Sequence, residues 1–244
     1  MFYCNSRAVR SFVFAAVLGI AGSGCTGGMG AAVESLKQAA GRGPAAATPP
    51  LDPKFVYLRV TRGKHVGLMW RGSLERSAEG TIEVFYSGSG EVVRLRNGRL
   101  VGALGLNTEW RQVDEPALVW RAVAKAGRST PFVRTRDVMP GYRTAVRDEL
   151  ALKVVAAPER SALQVLDPKS LTWFEETVSV PGATRMPLLT SDNDTVPAAR
   201  FAADFAGEEE VVVYGEQCLA RDFCFTWQRW STAMQQAATA SSPK

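Results

Sequence analysis

The sequence predicts a mostly β fold: an antiparallel β-sandwich or open β-barrel with at most one or two short helices. Three observations point there. Short runs rich in Val, Thr, Phe and Trp alternate polar with apolar positions. Turn residues interrupt these runs roughly every 8–12 positions, the spacing of all-β domains. One Asn-Gly pair, Asn97-Gly98, sits between two alternating runs, the strongest short-range hairpin signal.

The elements follow in order. The domain opens after Pro53 with FVYLRV, then HVGLMWRG, TIEVFYS and the long run EVVRLRNGRLVGALGL. PFVRTRDV, RTAVRDELALKVVAA, ALQVLD, LTWFEETVSV, EVVVYGE and FCFTWQRW complete the strand-like segments. One helix is predicted over Glu115–Ala126, where EPALVWRAVAKAG offers Pro in the first turn and Gly at the end.

In RLRNGRL a two-residue type I′ turn fixes the register. Arg96 faces Arg99, Leu95 faces Leu100, Arg94 faces Val101 and Val93 faces Gly102. Alternation then places Val93, Leu95, Leu100 and Leu104 on a core face, and Arg94, Arg96 and Arg99 together on the other. Like charges directly opposite are unfavourable. Solvent and an acid such as Glu83 relieve them in one reading; an anionic ligand, a glycan among the candidates, does so in the other.

The beginning of the chain reads as a secretory leader. Arg7 and Arg10 precede an apolar or small-residue run from Ser11 to Gly24, and no acid occurs before Cys25. The run is shorter than the roughly 20 apolar residues of a membrane span. A cysteine after the cut fits a lipoprotein signal, with Cys25 acylated; Gly22 stands where such signals usually carry Leu, and Gly-Ser-Gly also suits the ordinary signal peptidase. Thr26 in place of Asp after the cysteine implies export to the outer membrane. The organisation is therefore a signal peptide over 1–24, a lipidated cysteine and flexible linker over 25–50, a β-rich domain over 51–232 and a disordered tail over 233–244. Gly, Ala and Pro dominate the linker, which as a flexible coil spans on the order of 25–30 Å.

Of the four cysteines, Cys4 leaves with the leader and Cys25 takes the lipid. Cys218 and Cys224 remain, and in an exported chain they are expected to pair; two reduced buried thiols are the alternative. A zinc site would need more ligands, so neither a metal nor a cofactor is expected.

Composition narrows the function classes. Removing Arg7 and Arg10 with the leader leaves 27 basic residues against 24 acidic ones, a mild excess that implies no nucleic-acid partner. His65 is the single histidine, and it reads as a surface or turn residue, so triad chemistry has no base. Gly88 and Gly90 belong to a turn rather than to a phosphate loop.

Paired carboxylates are the remaining catalytic route. Glu175 and Glu176 point to opposite faces if their strand is extended. Asp192 and Asp194, in TSDNDT, lack the glycine and distant glutamate of an EF-hand loop. Glu208, Glu209 and Glu210 read as a solvated turn. The six tryptophans, Trp70, Trp110, Trp120, Trp173, Trp227 and Trp230, read as core, with a sugar-stacking platform as the alternative.

YSGSGEVVRLRNGRLVGALGLNTEWRQV, with PKFVYLRV before it, resembles the YjbF/GfcB family of lipoproteins associated with exopolysaccharide and group 4 capsule production. The turn residues Arg96, Asn97, Gly98 and Arg99, followed by Gly105 and Leu106, carry the likeness. LQVLDPKSLTWFEETV resembles a further family strand-turn-strand, with Ser170 replacing the usual glycine. The resemblance spans about residues 51–230 and implies a role in making or exporting a surface polysaccharide. It brings no catalytic residues with it. The expected protein is a non-enzymatic, lipid-anchored accessory on the periplasmic face of the outer membrane, whose partners are the membrane and either polysaccharide or polysaccharide-secretion proteins. A glycan-processing enzyme with paired carboxylates and a protein-interaction module without glycan contact are the alternatives.

Overall fold

The computed structural model describes residues 51–178 and 196–240. Twelve antiparallel strands form a closed barrel in simple up-and-down order. They are β1 (Tyr57–Arg62), β2 (His65–Ser77), β3 (Gly80–Tyr86), β4 (Val92–Arg96), β5 (Arg99–Leu104) and β6 (Glu109–Asp114). β7 (Thr130–Met139), β8 (Arg143–Val155), β9 (Thr172–Val178), β10 (Ala199–Asp204), β11 (Val211–Ala220) and β12 (Phe223–Trp230) follow. Each strand pairs with its sequence neighbour, and β12 closes on β1 with Trp230 opposite Tyr57 and Trp227 opposite Val60. The mostly β expectation holds. Of the two arrangements named from sequence the barrel is realised, and it is closed rather than open, which leaves no free strand edge.

The interior is mainly apolar. Leu58, Phe85, Leu95, Phe174, Phe201 and Trp227 are among its most deeply buried members. The outer face is charged: Lys153 Nζ and Arg200 Nε lie 3.3 and 3.6 Å from the Glu175 carboxylate across β8, β9 and β10. A membrane-spanning barrel carries an apolar band outside and a polar lumen; here charged pairs sit on the outer face and most of the interior is apolar.

An even number of up-and-down strands gives the barrel two distinct ends. At one, the helix end, lie the start of β1, the end of β12 and the connections that follow β2, β4, β6, β8 and β10. The hairpin end carries the connections that follow β1, β3, β5, β7, β9 and β11.

Helix α1 (Trp120–Ala126) sits at the helix end and stops at Gly127, whose φ of 61° is the left-handed conformation glycine tolerates. It is shorter than the sequence predicts, because Glu115–Val119 remain extended or irregular. Val119 offers no side-chain cap. Glu210 supplies one from far along the chain, accepting from Trp120 N at 3.1 Å and Arg121 N at 2.9 Å. Glu210 is thus a helix cap rather than part of a solvated turn; Glu208 and Glu209 are exposed as expected.

The residues after β12 also correct the sequence reading. A second helix, α2 (Thr232–Ala240), occupies most of the expected disordered tail. Its Ala, Met and Gln residues are good helix formers, and Gln235 Oε1 accepts a 2.8 Å hydrogen bond from Trp230 Nε1.

The Asn-Gly hairpin forms, with φ of 50° at Asn97 and 76° at Gly98. Arg96 opposes Arg99 and Leu95 opposes Leu100 as predicted. A β-bulge then shifts the pairing by one residue, so Arg94 faces Gly102 and Val93 faces Ala103. Val101 and Ala103 are buried as a result, while Leu104 is only half-buried.

Cys218 and Cys224 form a disulfide at directly opposed positions of β11 and β12. Closing so short a loop contributes about 2 kcal/mol by the chain-entropy account. The tryptophans take structural roles: Trp110, Trp120, Trp173, Trp227 and Trp230 are buried, and Trp70 is half-buried beside Tyr86.

Candidate functional site

The arginines singled out from sequence do not share one open face. Arg94 remains half-buried on the surface and pairs with Glu75, its stem lying over Gly102. Arg96 is buried at the helix end and donates to the Glu115 carbonyl at 2.8 Å and to Glu79 Oε2 at 3.3 Å. Arg99 is only 3 % exposed. Burial costs a guanidinium its hydration, so these side chains are held by carboxylates of the same chain.

Arg99 anchors a buried ionic chain. Its Nη2 lies 2.7 Å from Glu176 Oε2 and 2.8 Å from Glu115 Oε2. Glu176, also 3 % exposed, accepts a second arginine at Oε1, from Arg134 Nη1 at 3.0 Å. Arg134 continues to Asp148 at 3.0 Å from its Nε, and Arg136 grips the same carboxylate through Nε at 2.7 Å and Nη2 at 3.1 Å. Trp110 lies beneath both guanidinium groups, its ring centroid 4.7 Å from Arg134 Cζ and 4.9 Å from Arg136 Cζ. The chain Glu115–Arg99–Glu176–Arg134–Asp148–Arg136 thereby ties β5, β7, β8 and β9 together.

Strand alternation builds this chain. Phe132, Arg134, Arg136 and Val138 are buried in turn along β7, and Arg134 faces Asp148 across the β7–β8 ladder. Glu176 and Glu175 point to opposite faces as predicted, Glu175 outward to Lys153 and Arg200.

Burial pushes the Glu115 carboxyl above the usual carboxylate range, against the pull of Arg99. It also pushes Glu176 up, but there Arg99 and Arg134 together outweigh it and hold the group below that range. On the outer surface burial is likewise overcome at Glu83, which Arg229 and Arg71 hold low.

Signs follow from linkage. The stability from Glu176 and Glu83 is full above the ordinary carboxylate value of about 4.3 and is lost as pH falls through their depressed folded values. Glu115 acts oppositely: its cost at neutral pH is relieved as pH falls through its raised value toward the ordinary one. Urea unfolding is therefore expected to show a level or slightly rising stability from about pH 7 down to about 4.3, then a decline. A steady decline from neutrality would contradict this balance.

Glu115 and Glu176 both contact Arg99, but they are sealed in the core and neither lines a described cleft. Asp192 and Asp194 lie outside the described residues, as do Cys25 and the whole leader and linker.

Open concave surface occurs at the hairpin end. One cleft, of about 350 Å³, enters the barrel mouth between the β1–β2 hairpin, the β3–β4 turn and the start of β12. Met69, Val93 and Phe225 form its apolar floor, with Arg62 and exposed His65 at the rim. Arg62 Cζ lies 3.9 Å from the Phe223 ring centroid. Glu91 lines the same cleft, but its carboxylate accepts from the Ser87 and Ser89 hydroxyls.

A second cleft, of about 330 Å³, shares Leu106 with the first. Asn107, Glu109, Arg111 and Tyr142 line it. Glu109 is engaged internally, accepting from Gly105 N at 2.8 Å and from Arg111 Nε at 3.0 Å. Apart from Leu106, which belongs to the family likeness, and His65, these residues carry no motif. They become neighbours only when the hairpins meet at one end.

A protein-family model described as group 4 capsule polysaccharide lipoprotein gfcB, YjbF, matches residues 54–186, more than half of the chain. The chain belongs to the YjbF family. The matched segment runs from just before β1 through β9. In this YjbF-family member the disulfide hairpin and the strand that closes the barrel lie beyond it. No curated protein matches the chain. A solved structure described as the hypothetical lipoprotein YmcC from Escherichia coli (K12) is 15 % identical, with 72 % of this chain and 82 % of that one covered and a TM-score of 0.42.

Proposed function

We propose that this YjbF-family protein is a lipoprotein anchored at the periplasmic face of the outer membrane and acts as a non-enzymatic accessory in assembling or exporting a capsular or other extracellular polysaccharide. The match to a family of capsule polysaccharide lipoproteins carries this reading. Cys25 takes the lipid, and several acyl chains, each contributing about 0.8 kcal/mol per buried CH₂, hold the protein at the membrane.

The linker over 26–50 enters the barrel at the helix end, where β1 begins. The tether therefore joins the barrel at the end opposite the hairpin end. A non-enzymatic role is supported by the burial of Glu115 and Glu176 away from both clefts.

Mass spectrometry of the protein from isolated membranes is expected to find an acylated N-terminal Cys25, and Cys25→Ala is expected to move the protein to the soluble fraction. An unacylated wild-type N-terminus, or membrane retention of the variant, would overturn the anchor.

A further inference from the structure

We propose that the hairpin end binds an acidic polysaccharide, laid across both clefts with Leu106 between them, its carboxylates taken by Arg62 and Arg111 and one sugar ring stacked on Tyr142. The proposal rests on the polysaccharide reading above and names the face and the ligand class.

Shape is the first support. The clefts adjoin through Leu106, which suits a linear chain better than a compact small molecule. Tyr142 is 83 % exposed at the tip of the β7–β8 turn and lines the second cleft. A free aromatic face presents apolar area to a pyranose ring, while its hydroxyl remains available for hydrogen bonding. The exposed Asn107 beside it can both donate and accept.

Charge is the second support. Each cleft carries one acid beside its arginine, and both acids sit deeper: Glu91 is half-buried under the Ser87 and Ser89 hydroxyls, and Glu109 is half-buried, accepting from Gly105 N and Arg111. The cations face out. The Arg111 side chain is 59 % exposed even while Glu109 orients it. Among the described residues, no carboxylate lies within ion-pair distance of Arg62, which rests on Phe223 and lines the first cleft. Guanidinium groups fit carboxylates through paired hydrogen bonds. The tether joins at the opposite end of the barrel, so the clefts are not at the point of attachment.

Titration calorimetry on the full-length mature protein would use three probes: an oligogalacturonate, a neutral malto-oligosaccharide of the same length, and a polyglutamate of matched charge. Binding is expected for the oligogalacturonate and not for the other two. Arg111→Ala and Tyr142→Ala should each weaken it about tenfold, a loss of about 1.4 kcal/mol, with thermal stability unchanged. Lys153→Ala, on the outer barrel face, should leave it intact.

Equal binding of polyglutamate would mean charge alone or a peptide ligand, and would overturn the proposal. So would no oligogalacturonate binding, or binding that neither variant weakens. Surface polysaccharide in cells carrying Arg111→Ala with Tyr142→Ala separates this failure from that of the broader reading. If those cells keep normal polysaccharide while cells lacking the protein lose it, the accessory role stands and this binding face does not.

Discussion

Replacing Glu176 with Gln is expected to destabilise the barrel by about 3–5 kcal/mol, the cost of breaking a buried ion pair from one side. The amide keeps the shape and one acceptor oxygen. It removes the charge that compensates both Arg99 and Arg134, which approach at 2.7 and 3.0 Å. Neither arginine can reach water without opening the strands, so the uncompensated charge stays inside.

The adjacent residue provides the control. Glu175→Gln acts on exposed pairs with Lys153 and Arg200, and should cost less than about 1 kcal/mol. Urea midpoints of the two variants read the difference directly. Similar small shifts in both would show that the network is not sealed from solvent.

Trp120→Ala is expected to cost about 3–5 kcal/mol, the range for emptying a large aromatic site. Trp120 is almost fully buried at the helix end, with ring centroids 4.9 Å from Phe174 and 5.2 Å from Phe201. Its Nε1 donates to the Asn97 carbonyl at 2.9 Å. It therefore joins α1 to the β4–β5 turn and to two strands across the core. The substitution opens a cavity and removes that turn's donor together. Trp70→Ala, at a half-buried site, should cost distinctly less, and denaturant unfolding of the pair checks the ranking.

Local patterns carried most of the strands, the Asn-Gly turn and the Cys218–Cys224 pairing, because each depends on residues a few positions apart; ALQVLD, by contrast, is irregular, and β6 and β10 lay outside the segments read as strands. Closure of the barrel was not legible, since β1 and β12 stand at opposite ends of the domain and hydrophobic alternation does not say which strand meets which. The arginines show the same limit. In RLRNGRL, Arg96 and Arg99 read with Arg94 as one outer face, and in FVRTRDV, Arg134 and Arg136 read as ordinary polar positions. Their burial is explained by acids far along the chain: Glu176 is 77 residues from Arg99 and 42 from Arg134.

One local hint existed. Arg134 and Arg136 share strand parity with Phe132 and Val138, so a strand burying those apolar residues must bury the arginines too. The β-bulge after Arg94 was hidden because Leu100 and Val101 are both apolar and either register gives an acceptable core face. The hairpin-end clefts were hidden for a topological reason: Arg62 at the end of β1, Leu106 and Arg111 around the β5–β6 connection and Tyr142 in the β7–β8 turn are brought to one end by the strand order.

The most direct measurement is the quantity of surface polysaccharide on cells of the native host after removal of this protein. Cells lacking it are expected to lose surface polysaccharide and to regain it when the full-length chain is restored. Unchanged surface polysaccharide in the cells without the protein would contradict the accessory role.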